Sequence, residues 1–335
     1  MTAPITFGLG IQSDKTADAY ARLAVAGEEL GFDVLSVFSD LMYQPPIFPL
    51  TVMARHTRRV RLGPACLNPF SMHPYEIAGQ IAALDIASDG RAYFGIARGT
   101  WLDAVGVVQD RPLAHIRETV EVVRRLLGGD DGGFEGEVFH LAPGARLRFA
   151  TRRPEVPLLV GTWGRRLAGL AARLDAAEVK VGGSANPDFV PLMRNWLADG
   201  AAGTGRPRAP RVVLGAVTVV DRDGVAARAL ARREVAMYLA VVAGFDPTLT
   251  VDPELIAKVR ALVSAGDESG AGLLIPDDVL DRFAFSGTPE QVAAQVERLI
   301  AAGVDRVEFG TPHGLRELDG IELLGREVLP RFRGA

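Results

Sequence analysis

The stretch Glu29-Leu-Gly-Phe-Asp-Val-Leu-Ser-Val37 runs from the end of a helical pattern through a glycine into a β-branched strand. Ala302-Gly-Val-Asp-Arg-Val-Glu-Phe309 repeats that order near the other end of the chain. Upstream of the first copy, Tyr20, Leu23, Ala24 and Gly27 fall at i, i+3, i+4 and i+7, so one face of a helix over 16–30 is apolar and Gly31 stops it. A helix that ends in glycine and is followed by a short strand is one βα unit, and its recurrence predicts a parallel sheet covered by helices. Working outward, eight strands are expected, at 5–11, 34–38, 60–65, 92–97, 158–161, 178–181, 212–219 and 306–309. Eight alternating units predict an α/β fold, a (β/α)8 TIM barrel, as one domain over 1–335. Insertions are expected at 134–153, where a small hairpin is read, and at 245–285, which looks helical.

Composition fits this reading. Apolar residues make up 48% of the 335 and charged residues 23%, which excludes disordered, collagen-like and coiled-coil chains. The net charge is −4 with no basic block, so the expected partner is a small molecule and neither nucleic acid nor a membrane surface. One cysteine, Cys66, cannot form an internal disulfide, and the five histidines show no metal-ligand spacing. The N-terminal stretch shows no signal-peptide pattern and no apolar run reaches membrane length, so a cytoplasmic protein is expected. Thr288, Pro289 and Gln291 read as a capping box that starts the last long helix.

In such barrels ligands meet the loops at the C-terminal ends of the strands. Those ends supply Gln12; Asp40 and Tyr43; Ala65, Cys66 and Asn68; Arg98, Gly99, Thr100 and Trp101; Gly161, Thr162, Trp163, Gly164 and Arg165; Gly182 and Gly183; and His313. The glycine-rich turns at 161–166 and 182–184 have two readings: backbone N–H groups and a helix start that cradle phosphate, or the ordinary preference of a βα turn for glycine. Neither turn is a GxGxxG or Walker A motif. No GxSxG is present, so a cofactor that brings its own redox chemistry fits better than a nucleophilic side chain.

Several segments together resemble the luciferase-like family, in its branch of coenzyme F420-dependent oxidoreductases typified by methylenetetrahydromethanopterin reductase. They are Ser36-Val-Phe-Ser-Asp40, Leu62-Gly-Pro-Ala-Cys-Leu-Asn-Pro-Phe70 with His73-Pro74, and residues 79–84 with Ser88-Asp-Gly-Arg91. To these are added Gly95-Ile-Ala-Arg-Gly99, Val160-Gly-Thr-Trp-Gly-Arg165, Phe283-Ala-Phe-Ser-Gly-Thr-Pro289 and Phe309-Gly-Thr-Pro-His-Gly314.

The resemblance implies that F420 (alternatively FMN) lies with its ring against Ala65 and Cys66, where the family often has a cis peptide, and its phosphate end at 161–165 and 182–183. Asn68, Arg98, Gly99 and Thr100 are expected beside the cofactor, and Gln12, Tyr43 and Trp101 beside the substrate. Asp40 matches a family acid near the ring, so Asp40 and His313 are the candidate proton donors. Some relatives, including sugar-phosphate dehydrogenases, carry His directly after that acid; here the residue is Leu41. That difference favours reduction of a C=N or C=C bond over alcohol oxidation. An FMN-dependent monooxygenase and a non-catalytic flavin- or ligand-binding barrel are the alternatives. A homodimer or larger oligomer is also expected, through the apolar face of the helix at 75–86 (Ile77, Ile81, Leu84).

Overall fold

A computed structural model describes residues 4–205 and 209–333; the first three residues of the N-terminal stretch lie outside it. Eight parallel strands follow the expected order: β1 (Thr6–Ile11), β2 (Val34–Val37), β3 (Arg61–Pro64) and β4 (Phe94–Ala97), then, after a two-stranded hairpin β5 (Phe134–Glu135) and β6 (His140–Leu141), β7 (Leu158–Gly161), β8 (Glu178–Gly182), β9 (Arg211–Val220) and, past the short β10 (Ala284–Gly287), β11 (Arg306–His313). Hydrogen bonding runs β3-β2-β1-β11-β9-β8-β7-β4, and β10 pairs in parallel beside the C-terminal end of β9. The seam between β3 and β4 is closed by bridges from Leu62 to Ala92 and from Leu67 to Ile96, on either side of a kink in the third strand. There Gly95 is required: a Cβ on it would lie 1.9 Å from the Pro64 carbonyl oxygen.

Helices cover the outside. The expected helix over 16–30 is α1 (Ala17–Glu29), capped by Thr16, with Tyr20, Leu23, Ala24 and Gly27 buried. After it come α2 (Ile47–His56), α3 (Pro74–Ala87), α4 (Pro112–Leu127), α5 (Arg165–Arg173) and α6 (Phe189–Ala201). Next are α7 (Gly224–Val242) and, within the second insertion, α8 (Pro253–Ser264), α9 (Glu268–Leu273) and α10 (Asp277–Phe283). The capping box forms at the start of α11 (Pro289–Ala301), and α12 (Glu317–Leu323) follows the last strand. One expectation is corrected here. Ile77, Ile81 and Leu84 of α3 are completely buried within the chain, so that face is spent on the barrel and not offered to a second copy.

The two insertions are tied down by polar side chains. Buried Glu118 on α4 accepts the backbone N–H groups of Glu137, Val138 and Phe139 at 2.8, 3.0 and 3.1 Å, which fixes the hairpin. Asn186, after β8, donates to Asp246 and Thr248 at 2.7 and 2.9 Å and so anchors the start of the helical insertion.

Inside the barrel the packing departs from the layers of branched apolar side chains usual in this architecture. Glu178 and Lys180 point inward from β8, and Arg306 and Glu308 from β11; all four are at least 94% buried by side chain. Lys180 pairs with Glu308, Arg306 lies 3.3 Å from Glu308 and 3.0 Å from Glu178, and Arg61 reaches Glu178 at 3.2 Å. Ser36 donates to Glu308 at 2.6 Å, and the Tyr93 hydroxyl lies 2.7 Å from Ser36 and 2.8 Å from the Gly63 carbonyl. Burial alone would raise the pKa of Glu178, but Arg306 and Arg61 hold it below the ordinary carboxylate value of 4.5. Burial acts the same way on Glu308, which Lys180 and Arg306 pull down.

Because both folded pKa values are depressed, the carboxylates contribute their full stabilisation above pH 4.5 and lose it as the pH falls through the folded values. Unfolding by denaturant is expected to show stability declining on the acid side of that value. Glu178→Gln, which leaves Arg306 with Glu308 alone and Arg61 without its carboxylate, should cost about 3–5 kcal/mol at neutral pH and make the acid-side decline shallower; an unchanged denaturation midpoint refutes the account.

Candidate active site

Asp40 stands three residues beyond the last residue of β2, at the C-terminal rim. Burial raises its pKa, offset in part by a hydrogen bond from the Gln12 side chain and by the charge of Lys180. Gln12 is fixed just past β1, its backbone N–H donating to Thr311 at 3.0 Å. Tyr43 and Trp101 lie on neighbouring rim loops, 49% and 42% exposed, with Met42 more exposed still. Met42 (φ 72°), Trp101 (φ 59°) and Arg111 (φ 39°) hold left-handed backbone without being glycine, and all three sit in loops after strands β2 and β4. Such residues tend to cluster at sites whose surroundings over-determine them.

The Ala65-Cys66 peptide is cis, as the resemblance implies. Cys66 is partly exposed, with its Sγ set against the next strand ends: a Cβ on Gly161 would stand 3.0 Å from that Sγ and 3.1 Å from Ala97 Cβ. Its thiol is pushed up to about 12 by burial, so it is a neutral packing group and not a nucleophile. Ala65, Cys66, Gly161 and the end of β4 are thus brought together, and Asp40, Gln12 and Lys180 form a second group.

Two glycine turns adjoin each other at the rim. Trp163 ties them, donating its indole N–H to the Gly182 carbonyl at 2.9 Å. Gly164 is the N-cap of α5 and has no side-chain cap; Arg165 and Arg166 occupy the first turn and are exposed. Cations at a helix N-terminus oppose the helix dipole, and the first-turn N–H groups have no intrahelical acceptor. Together they make an anion-favouring corner. Space exists for a ligand there, since nothing lies within 4 Å of a Cβ placed on Gly182 and only Thr162 Oγ1, at 3.8 Å, near one on Gly164. The N–H groups of Gly183 and Ser184, by contrast, both donate to the Gly215 carbonyl, at 2.6 and 3.0 Å, and are turned inward. Thr162 donates to the Lys180 carbonyl at 2.9 Å, and Arg165 reaches Asp199 at 3.0 Å.

Three further residues have local duties. Asn68 accepts from the N–H groups of Phe70 and Ser71 with its side-chain oxygen, so it braces its own loop. Gly99 (φ 85°) closes on Asn68, while Gln109 holds the carbonyls of Arg98 and Gly99; Arg98 and Thr100 are exposed. His313 has no exposed surface. Its Nε2 lies 3.1 Å from the Phe309 carbonyl and its Nδ1 3.5 Å from Glu317. The ring therefore braces the exit of β11, and no face of it is open to a substrate.

The interior pair Lys180–Glu308 was not among the residues picked from the sequence. Its signal is a charge at i and i+2 on an otherwise apolar strand, repeated at Glu178/Lys180 and Arg306/Glu308. Among the described residues no cluster of His, Cys, Asp and Glu could hold a metal ion, and no helix is long and apolar enough to cross a membrane.

Comparison with known proteins agrees with this fold. The model of the family described as luciferase-like monooxygenase matches residues 1–306. The chain is 33% identical over 325 residues to a 5,10-methylenetetrahydromethanopterin reductase of Archaeoglobus fulgidus, covering 94% of this chain and 95% of that one. It is 25% identical to an F420-dependent glucose-6-phosphate dehydrogenase of Rhodococcus erythropolis, with 93% of each covered. The structure of the coenzyme F420-dependent tetrahydromethanopterin reductase of Methanopyrus kandleri superposes with a TM-score of 0.89 at 26% identity, over 99% of this chain and all of the other.

Followed by carbon-13 NMR of its carboxyl, Asp40 should titrate above its ordinary value of 3.8. Gln12→Leu removes a hydrogen bond to the charged form and should raise the midpoint further; a lower midpoint in that variant contradicts the arrangement.

Proposed function

We propose, for a chain that belongs to the luciferase-like monooxygenase family, that it is a coenzyme F420-dependent oxidoreductase that reduces a C=N or C=C bond of a small organic substrate. The observation that carries the reading is the joint presence on one rim of a desolvated carboxyl, Asp40, and an uncapped helix start at Gly164 with two arginines beside it. A relative that covers 93% of the chain and a solved structure that covers 99% of it are named for the same cofactor, which supports the choice over FMN.

The residues present suit such a group. The α5 N-terminus with Arg165 and Arg166 would hold its phosphate, with the open surface of Gly182 alongside, and the partly exposed Ala65-Cys66 edge would back its ring. Bound in reduced form, a deazaflavin supplies hydride to an electrophilic carbon. The chain's own part is orientation, exclusion of water and one proton. Asp40 is the donor in this reading: its raised pKa keeps the proton on the carboxyl Oδ to higher pH than an exposed aspartate would, and the Gln12 side chain beside it moderates that rise. Trp101, Tyr43 and Met42 offer apolar surface to a substrate. Leu41 leaves no histidine beside the acid to act as base in alcohol oxidation. The site calls for one chain, and an oligomer is proposed only on the habit of the family.

Equilibrium binding should favour F420 over FMN, and reduced F420 should support turnover. Tight FMN binding with oxygen consumption would instead assign a monooxygenase, and binding without turnover a ligand-binding barrel. Asp40→Asn should bind the cofactor normally and lose about 10²-fold or more in turnover, the usual contribution of a general acid; full activity with binding intact removes Asp40 from the chemistry. Gly164→Val should weaken F420 binding with the melting temperature unchanged. Gly161→Val is a poor substitute for it, because the added side chain meets Cys66 and Ala97 whatever is bound.

A further inference from the structure

Below the rim lies a charge that the reading above does not use. Lys180 Nζ is buried, paired with Glu308, and sits 5.1 Å from the centroid of the Phe38 ring. Phe38 is two residues before Asp40, and its backbone carbonyl accepts from Ser13 at 3.3 Å. The space for this arrangement is made by glycines on neighbouring strands. A Cβ on Gly10 would come within 2.6 Å of the Phe38 ring, and one on Gly215 within 3.3 Å of Lys180 Cε. The ammonium is therefore held from three directions: by Glu308 on β11, by the Phe38 ring, and by the bare backbone of β9. A lysine buried to this degree is uncommon, and simple filling of the barrel would have been met by an apolar side chain at no desolvation cost.

We propose that Lys180 is a positioning residue for this site: its pair with Glu308 fixes an ammonium under the rim, and that ammonium is the counter-charge against which Asp40 gives up and regains its proton. The inference rests on the reading of Asp40 as proton donor. The charged and titratable groups facing the pair are Asp40 after β2, Cys66 after β3, Tyr93 just before β4, whose burial keeps its hydroxyl neutral, and Arg306 along β11. From β1 and β9 the neighbours are Gly10, Gln12 and Gly215, which carry no charge. Cys66 is neutral, and Arg306 is engaged by Glu178 and Glu308, so Lys180 is the charge left to act on Asp40. It favours the ionised carboxyl and opposes burial.

The test is the carboxyl titration of Asp40 in the protein without cofactor, assigned by comparison with Asp40→Asn. In Lys180→Met the midpoint should move up, and in Lys180→Arg it should return toward the parent. Should Lys180→Met unfold because Glu308 is left unpaired, the double variant Lys180→Met/Glu308→Gln removes both charges and is expected to show an upward shift smaller than that of the single variant. With reduced cofactor and substrate, the fall in turnover at high pH should begin at higher pH in the same variants. A purely structural Lys180 would lower the melting temperature and leave the Asp40 midpoint where it was, and that result overturns the proposal. Failure of the functional reading has a different signature: the midpoint moves as expected while Asp40→Asn keeps full turnover.

Discussion

The barrel is organised around two carboxylates that are shared among three cations. Glu178 and Glu308, almost out of contact with water, receive Arg306 and Lys180 from within the barrel and Arg61 from a position about a third exposed. An ion in such surroundings is costly unless it is paired, and each of these pairs needs a strand in its correct register to exist. A slip of one residue in β8 or β11 would turn both charges of that strand into the apolar layer under the helices. Strand order, register and the glycines that leave room for these side chains all answer to that condition. Apolar packing under the helices supplies most of the burial, but it is far more tolerant of exchange.

This arrangement also explains why fold and site were unequally legible in the sequence. The eight strands were readable because each is a short apolar run between a helix end and a turn, and Gly31, Gly303 and the Thr288 cap mark those boundaries chemically. The short β10 was not readable: it is a four-residue strand at the end of an insertion, paired in parallel beside Val217–Val220 of β9, a partner distant in the chain. Strand-end position identified Asp40, Gln12 and the two glycine turns, because it follows from topology alone. It said nothing about side-chain direction. Asn68 and His313 occupy strand ends yet turn back to brace their own segments. Lys180 and Glu308 were missed for the opposite reason: a charge on a strand suggests an exposed edge until the opposing strand is known to carry its partner.

Rim and interior divide the work. The rim loops carry residues in unfavourable backbone conformations, Met42 and Trp101 among them, and large exposed apolar side chains. The interior carries the fixed charges. Loops can change with little penalty to folding, so the rim surface is free to vary while the charges beneath Asp40 stay fixed.

Enclosure of the ion pairs has one more consequence. Dissolved salt weakens attraction between charges that it can surround, over a distance of about 8 Å at physiological ionic strength. Mobile ions cannot enter the space between Lys180 and Glu308, or between Arg306 and Glu178, whose side chains are all at least 94% buried. The many arginine pairs on the outer helices, such as Arg125 with Glu121 or Arg326 with Glu322, will fade in brine. The inner ones will not, and the barrel keeps its electrostatic skeleton in media that strip its surface of attraction.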